Sequence, residues 1–161
     1  MKTRTPKTAP DYQLDKLDRQ ILRILVRDAT IPYTDIAKEL VVSGGTIHVR
    51  MKKLREMGVV TGSHLSVNPA KLGYDITAFI GIYLDKGSEY HDAVARMKKI
   101  PELVELHYTT GSYSMFAKII CKSTEHLRQV LNEKIQTIRS VERTETFISL
   151  EESIRRQVSI D

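Results

Sequence analysis

The stretch "GTIHVRMKKLREMG", residues 45–58, places Arg50, Lys52, Lys53 and Arg55 together with His48 on one short helical segment, opposed only by Glu56. Guanidinium forks and ammonium point charges in that density suit the neutralisation of phosphates. A solvated helix face uses the same residues, so the neighbouring sequence must decide. A second stretch, "YTTGSYS" at 108–114, sets the hydroxyls of Thr109, Thr110, Ser112 and Ser114 around Gly111. Glycine there lets backbone N–H groups converge on an anion such as a carboxylate, with hydroxyls to hold the rest of a small polar ligand. A plain turn between two strands accounts for the same residues. Catalytic sets are lacking: His48, His64, His91, His107 and His126 show no metal-ligand spacing. No G-x-S-x-G, P-loop or dinucleotide fingerprint is present either.

Both stretches need elements to position them. "LDKLDRQILRILVRDA" (14–29) repeats Leu14, Leu17, Ile21, Ile24, Leu25 and Asp28 along one helical side, with Asp15 and Asp18 suited to its positive N-terminus. Pro32 ends that element, and "YTDIAKELV" makes a helix of about two turns, with Thr34 as its expected N-cap. Ser43 caps a third helix, Gly44 or Gly45 is expected to carry the sharp reversal, and Gly58 closes it. On that helix Ile47, Met51 and Leu54 face inward, leaving Thr46, His48, Arg50 and Lys53 outward. Helix, short helix, turn, helix is the helix-turn-helix pattern, whose second unit enters the major groove of DNA. "VVTGSHLSVNPAKLGYD" (59–75) holds strand-formers around Thr-Gly-Ser and predicts a small hairpin or wing, with a domain boundary near residue 74.

Beyond it, strands are expected over 76–85, 103–110, 114–122 and 141–150, with amphipathic helices over 88–99 and 123–138. The order βαββαβ predicts an α+β fold: a ferredoxin-like antiparallel sheet with helices on one face. Alternation on the third strand makes the single cysteine, Cys121, a core thiol.

Charge divides between the halves. Residues 1–75 hold 13 Lys and Arg against 8 Asp and Glu, whereas residues 76–161 hold 12 against 12, so the net +5 lies wholly in the first half. The asymmetry, the turn beside the basic helix and the basic start (Lys2, Arg4, Lys7) favour DNA over a merely solvated face. Residues 1–13, "MKTRTPKTAPDYQ", carry no apolar core of a signal peptide and read as a disordered arm. The longest apolar run, "AFIGIYL" (78–84), is far too short to span a bilayer. A cytoplasmic protein without membrane partners is expected.

"LDKLDRQILRIL", "DIAKEL", "GTIHVRMKKLREMGVVTG", "LGYD" and "LHYTTGSYSMFAKI" together resemble the leucine-responsive and asparagine-operon regulators, the Lrp/AsnC family, in the right order over 14 to about 150. "GTIHVR", "YTTG", "KIQTI" and "TET" are most similar to the asparagine-operon branch. The resemblance implies a winged helix-turn-helix over 14–74, and over 75–161 a domain that dimerises and senses a small metabolite, usually an amino acid. It implies homodimers that build octamers as tetramers of dimers, with no cofactor beyond an amino-acid effector held between dimers. The implied effector set is Tyr108, Thr109, Thr110, Gly111, Ser112, Tyr113 and Ser114, completed by Gln136 and Thr137 of a neighbouring dimer. The expected DNA set is Ser43, Thr46, His48, Arg50, Lys52, Lys53 and Arg55, with Thr46, His48 and Arg50 at bases or groove and Lys52, Lys53 and Arg55 on phosphates. Arg55 replaces a usual glutamate and Gly44 a usual proline or alanine, and both bear on sequence preference. The rival class is an enzyme: sirohaem decarboxylases resemble the same two-domain fold and would use a histidine such as His107.

Overall fold

In a computed structural model the described residues are 13–85 and 90–161. They form two compact units, one running through Leu65 and including Arg155–Asp161, the other Ser66–Ile154. The division at Leu65 and Ser66 lies earlier than the expected boundary near 74, because the segment after it packs with the second unit. The expected N-terminal arm, with Lys2, Arg4 and Lys7, lies outside the described residues apart from Gln13.

In the first unit α1 spans Lys16–Arg27, α2 Tyr33–Glu39 and α3 Gly44–Glu56. Asp15 caps α1: its carboxylate accepts the Asp18 N–H at 2.9 Å while Asp18 accepts the Asp15 N–H at 3.2 Å. This reciprocal pair satisfies donors that the first turn leaves orphaned. Ile21 and Leu22 of α1, Ile36 and Ala37 of α2, and Ile47, Met51 and Leu54 of α3 form its core. Each of the large aliphatic side chains so buried contributes about 1.5–3 kcal/mol. Arg19 and Arg23 donate to the carbonyls of Asp161 and Ile160, at 3.1 and 2.6 Å, and Ile160 packs on this core.

Three local expectations are corrected. Pro32, not Thr34, precedes the first turn of α2, and it supplies no side-chain cap. The reversal after α2 belongs to Val41, at φ 55°, rather than to Gly44 or Gly45, which lie inside α3. The N–H groups of Val42 and Val41 donate to the carbonyls of Ala37 and Lys38, at 2.9 and 3.3 Å, so Val41 occupies the left-handed position that usually takes glycine. Gly58, at φ 72°, does the same after α3. No strand forms over 59–68, so the predicted hairpin is not a feature of this chain. β-propensity measures fit to a pleated, half-buried surface, and residues 61–68 are exposed.

The second unit contains β1 (Ile76–Leu84), α4 (Tyr90–Met97), β2 (Leu103–Tyr108), β3 (Met115–Cys121), α5 (Thr124–Gln129) and β4 (Val141–Ile148). The antiparallel sheet has the order β2-β3-β1-β4, as the split βαββαβ pattern requires. The amphipathic helix expected over 123–138 is α5 running on into a π-helical stretch, Val130–Ile135. One face of the sheet, with Ala78, Ile80, Ile82, Met115, Ala117, Ile119 and Cys121, packs on Ala93, Met97, Leu127, Val130, Ile135 and Ile138. Cys121 is a fully buried thiol, and burial pushes its pKa up. On the opposite face Phe79 and Phe116 stack, with centroids 6.0 Å apart, and Phe147 and Tyr113 lie beside them. Among the described residues no helix is long and apolar enough to cross a membrane.

Candidate functional site

The basic helix α3 starts where Ser43 Oγ accepts the Thr46 N–H at 3.1 Å and meets the Thr46 hydroxyl at 2.8 Å. Both residues therefore build the start of the helix. Ile47, Met51 and Leu54 point into the core as their spacing predicts, and His48, Lys52, Lys53 and Arg55 are exposed. The Tyr33 ring meets His48 edge-on at 4.8 Å, and its hydroxyl accepts from Arg55 at 3.1 Å. Lys52 lies 3.9 Å from Glu56 along the same helix. Tyr33 thus holds two of the predicted contact residues, a role that periodicity alone does not signal.

Arg50 departs from its expected outward place. Its guanidinium donates to Asp15 and, at 3.1 Å, to Asp18, whose side chain is 0% exposed. A buried carboxylate on α1 draws the guanidinium inward, since a charge in that setting needs a partner. The Asp15 hydrogen bond, ahead of the opposing effect of burial, raises the Arg50 pKa further. Asp15 is held below the ordinary carboxylate range by the Asp18 N–H and then by Arg50. Arg50 consequently ties α3 to the N-terminus of α1, and the outward cations are Lys52, Lys53 and Arg55 with His48.

In the second unit the Tyr108–Ser114 segment joins β2 to β3. The Thr109 N–H donates to the Ser114 carbonyl at 3.1 Å and the Thr109 hydroxyl to the Tyr113 carbonyl at 2.8 Å, closing the loop. The Ser114 hydroxyl accepts the Leu84 N–H at 3.3 Å. Thr110, Gly111 and Ser112 are exposed at the tip, with Gly111 at φ 108° and open space where a Cβ would stand. Tyr108, also exposed, lies 4.5 Å from the Tyr90 ring. The loop therefore offers an open rim rather than a closed pocket. Cavities of about 230 and 240 Å³ in this unit are lined by other residues.

Behind the loop, Tyr113 lies over Gly81, where a Cβ would stand 2.5 Å from its ring. Its hydroxyl donates to Glu145 at 2.8 Å, Tyr83 donates to the same carboxylate at 3.0 Å, and Arg143 donates to it at 2.9 Å. The Tyr113 and then the Tyr83 hydrogen bond lower the Glu145 pKa, and Glu145 in turn raises that of Tyr113. This network fixes one end of the loop, and only the glycine within β1 hinted at it. Gln136 donates to the Thr144 hydroxyl at 3.0 Å, and the Thr137 hydroxyl donates to carbonyls of the helical stretch before it, at 3.1 Å to Glu133. Both are exposed, and nothing within this chain brings them to the loop. His107, the histidine an enzyme reading would enlist, is exposed and 3.8 Å from Glu105. Among the described residues no three His, Cys, Asp or Glu side chains form a metal-sized group.

Comparison with known proteins matches the Lrp/AsnC ligand binding domain to residues 77–158 and the AsnC-type helix-turn-helix domain to residues 14–55. Regulatory protein AsnC of Escherichia coli is 44% identical over 148 residues, which is 92% of this chain and 97% of that one. The HTH-type transcriptional regulator Ptr1 of Methanocaldococcus jannaschii is 40% identical over 128 residues, 80% of this chain and 86% of that one. The solved structure of the E. coli protein superposes with a TM-score of 0.87 at 43% identity, covering 92% and 99% of the two chains. A regulator of Neisseria meningitidis solved with L-Met shares the fold at a TM-score of 0.86 and 19% identity, covering 92% of this chain and 97% of that one.

Proposed function

The chain belongs to the Lrp/AsnC family of transcriptional regulators, and from that premise we propose that it binds duplex DNA through α3 and tunes that binding with an amino acid held at the Tyr108–Ser114 loop. The observation that carries the DNA half is the exposed row of His48, Lys52, Lys53 and Arg55 on the second helix of a helix-turn-helix. The first half of the chain also holds the whole charge excess. Cations so placed release counterions from the phosphate backbone and make affinity fall with salt. The effector half draws support from the exposed hydroxyls and glycine at the loop tip. In the Neisseria structure, a protein of this fold holds an amino acid.

On this reading the protein is a cytoplasmic regulator and not an enzyme. Its copies dimerise across the sheet face that carries Phe79, Phe116 and the 46%-exposed Phe147. Dimers then assemble further, to a tetramer of dimers, so that Gln136 and Thr137 of one dimer meet the loop of another. An open loop rim suits a site completed by a second copy.

Two measurements test the proposal. Fluorescence anisotropy of a labelled duplex, titrated with salt, should show affinity falling linearly in log–log form. Salt-independent or absent binding refutes the DNA half. A thermal-shift screen of the twenty amino acids should raise the melting temperature with at least one of them, because a ligand that binds only the folded state stabilises it. If none does, the effector half fails.

A further inference from the structure

We propose that Val49, set over the bare backbone of Gly45, is a specificity-determining residue that reads a thymine methyl group. The inference rests on the DNA-binding reading above and names what α3 recognises there. Gly45, His48, Val49, Lys52, Lys53 and Glu56 are all exposed along α3. In its first two turns Thr46 is engaged with Ser43 and Arg50 with Asp15 and Asp18, while His48 meets the Tyr33 ring. Val49 is 69% exposed, although neither the core nor helix propensity favours a valine there. A single exposed aliphatic residue is ordinary, and the glycines beside it give this one meaning.

A Cβ at Gly44 would meet nothing within 4 Å, and one at Gly45 only the Ser43 hydroxyl at 3.7 Å. Neither adopts a positive φ. Alanine fits both positions and strengthens a helix, so neither backbone angle nor packing asks for glycine. Side chains on a helix lean towards its N-terminus, which puts the Val49 methyl groups over the turn of Gly45. Beside His48, Gly45 and Val49 therefore present a low apolar patch at the start of α3, followed one turn later by Lys52 and Lys53.

In a helix lying in the major groove the N-terminal residues reach base edges, while cations supply affinity without sequence information. The thymine C5 methyl is the apolar feature among the major-groove edges, and an aliphatic side chain is its natural contact. Bare Gly45 lets the helix seat deeply enough for that contact.

The test uses the full chain and a duplex enriched by the wild-type protein from a randomised pool. Each thymine is replaced in turn by deoxyuridine, which removes the methyl group alone. One thymine in each half-site should weaken wild-type binding about three- to fivefold, the effect of withdrawing one buried methyl. Val49→Ala should lose a similar factor on the thymine duplex, become indifferent to uracil at that position, and keep the wild-type salt slope. Gly45→Ala should melt about 2–5 °C higher yet bind the selected duplex less tightly. Val49→Ala binding like wild type, or keeping full sensitivity to uracil, overturns the inference while the DNA-binding reading stands. Gly45→Ala binding undiminished overturns the role of the bare turn. Failure of the wild type to enrich any duplex overturns both readings together.

Discussion

Replacing Arg50 by alanine removes a guanidinium from between Asp15 and the fully buried Asp18. Breaking a fully buried ion pair costs about 3–5 kcal/mol, because the remaining charge stays behind uncompensated. An exposed pair is worth about 0–1 kcal/mol. Arg50 is 29% exposed and Asp15 47%, while Asp18 is 0%, so one contact belongs to each class. The expected loss is about 2–3 kcal/mol. In a small domain each kcal/mol moves the melting temperature by about 4–8 °C, so the transition of the first unit should fall by about 8–24 °C. Circular dichroism on the full chain reads that shift, and a salt titration on duplex DNA, well below the transition, reads the slope. Arg50→Ala should leave the slope unchanged, whereas Lys53→Ala should reduce the slope by about 1. The double variant Arg50→Met with Asp18→Leu should recover much of the stability, since apolar replacement of a buried pair is often neutral. An Arg50→Ala protein that melts like wild type and loses one unit of slope would return Arg50 to the phosphates and refute the anchoring role.

Three further outcomes are expected. Val41→Gly should stabilise the first unit by about 1 kcal/mol in urea denaturation, because it relieves a left-handed β-branched residue that is 89% exposed and buries little. The depressed Asp15 pKa adds stability that is complete above the ordinary Asp value of 3.8 and disappears as pH falls through the lower folded value. Asp15→Asn should therefore flatten the acid limb of a melting-temperature profile and leave its neutral-to-alkaline side parallel to wild type. Gly111→Val should abolish amino-acid binding by calorimetry, because φ 108° strains any branched residue, yet keep the affinity of the bare dimer for a single duplex site.

Most of the fold was legible because its signals are local and repeated. The period of Ile47, Met51 and Leu54 fixes the buried side of α3, and alternation in "MFAKIIC" fixes that of β3. Arg50 was misjudged because its orientation depends on Asp18, on another helix, and helical spacing carries no information about a buried charge 32 residues away. The wing failed for a related reason: Val59 and Val60 are strand-formers by type, but strand propensity measures fit to a half-buried surface, and Val59 and Leu65 are exposed. Val41 shows the opposite conflict, in which tertiary packing of α2 on α3 holds a β-branched residue in a conformation its own sterics disfavour. The loop at 108–114 was legible as hydroxyls around a glycine, but the Tyr113–Glu145–Tyr83 network behind it joins two strands and a loop that no spacing connects.

The division of charge constrains how an effector can act on DNA. Residues 76–161 carry equal numbers of acidic and basic side chains, so they hold no charge excess with which to attract DNA. A ligand at their loop changes affinity only by binding one assembly state more tightly than another. The quantity it controls is then how many α3 helices meet one DNA molecule together, because each added unit binds at an effective concentration set by its tether. An amino acid that shifts the assembly should alter cooperative binding to DNA with several half-sites far more than binding to one. By reciprocity, long DNA should shift amino-acid affinity by the same factor. Equal calorimetric affinities with and without multi-site DNA, beside effector-dependent DNA binding, would break that linkage and with it the assembly mechanism.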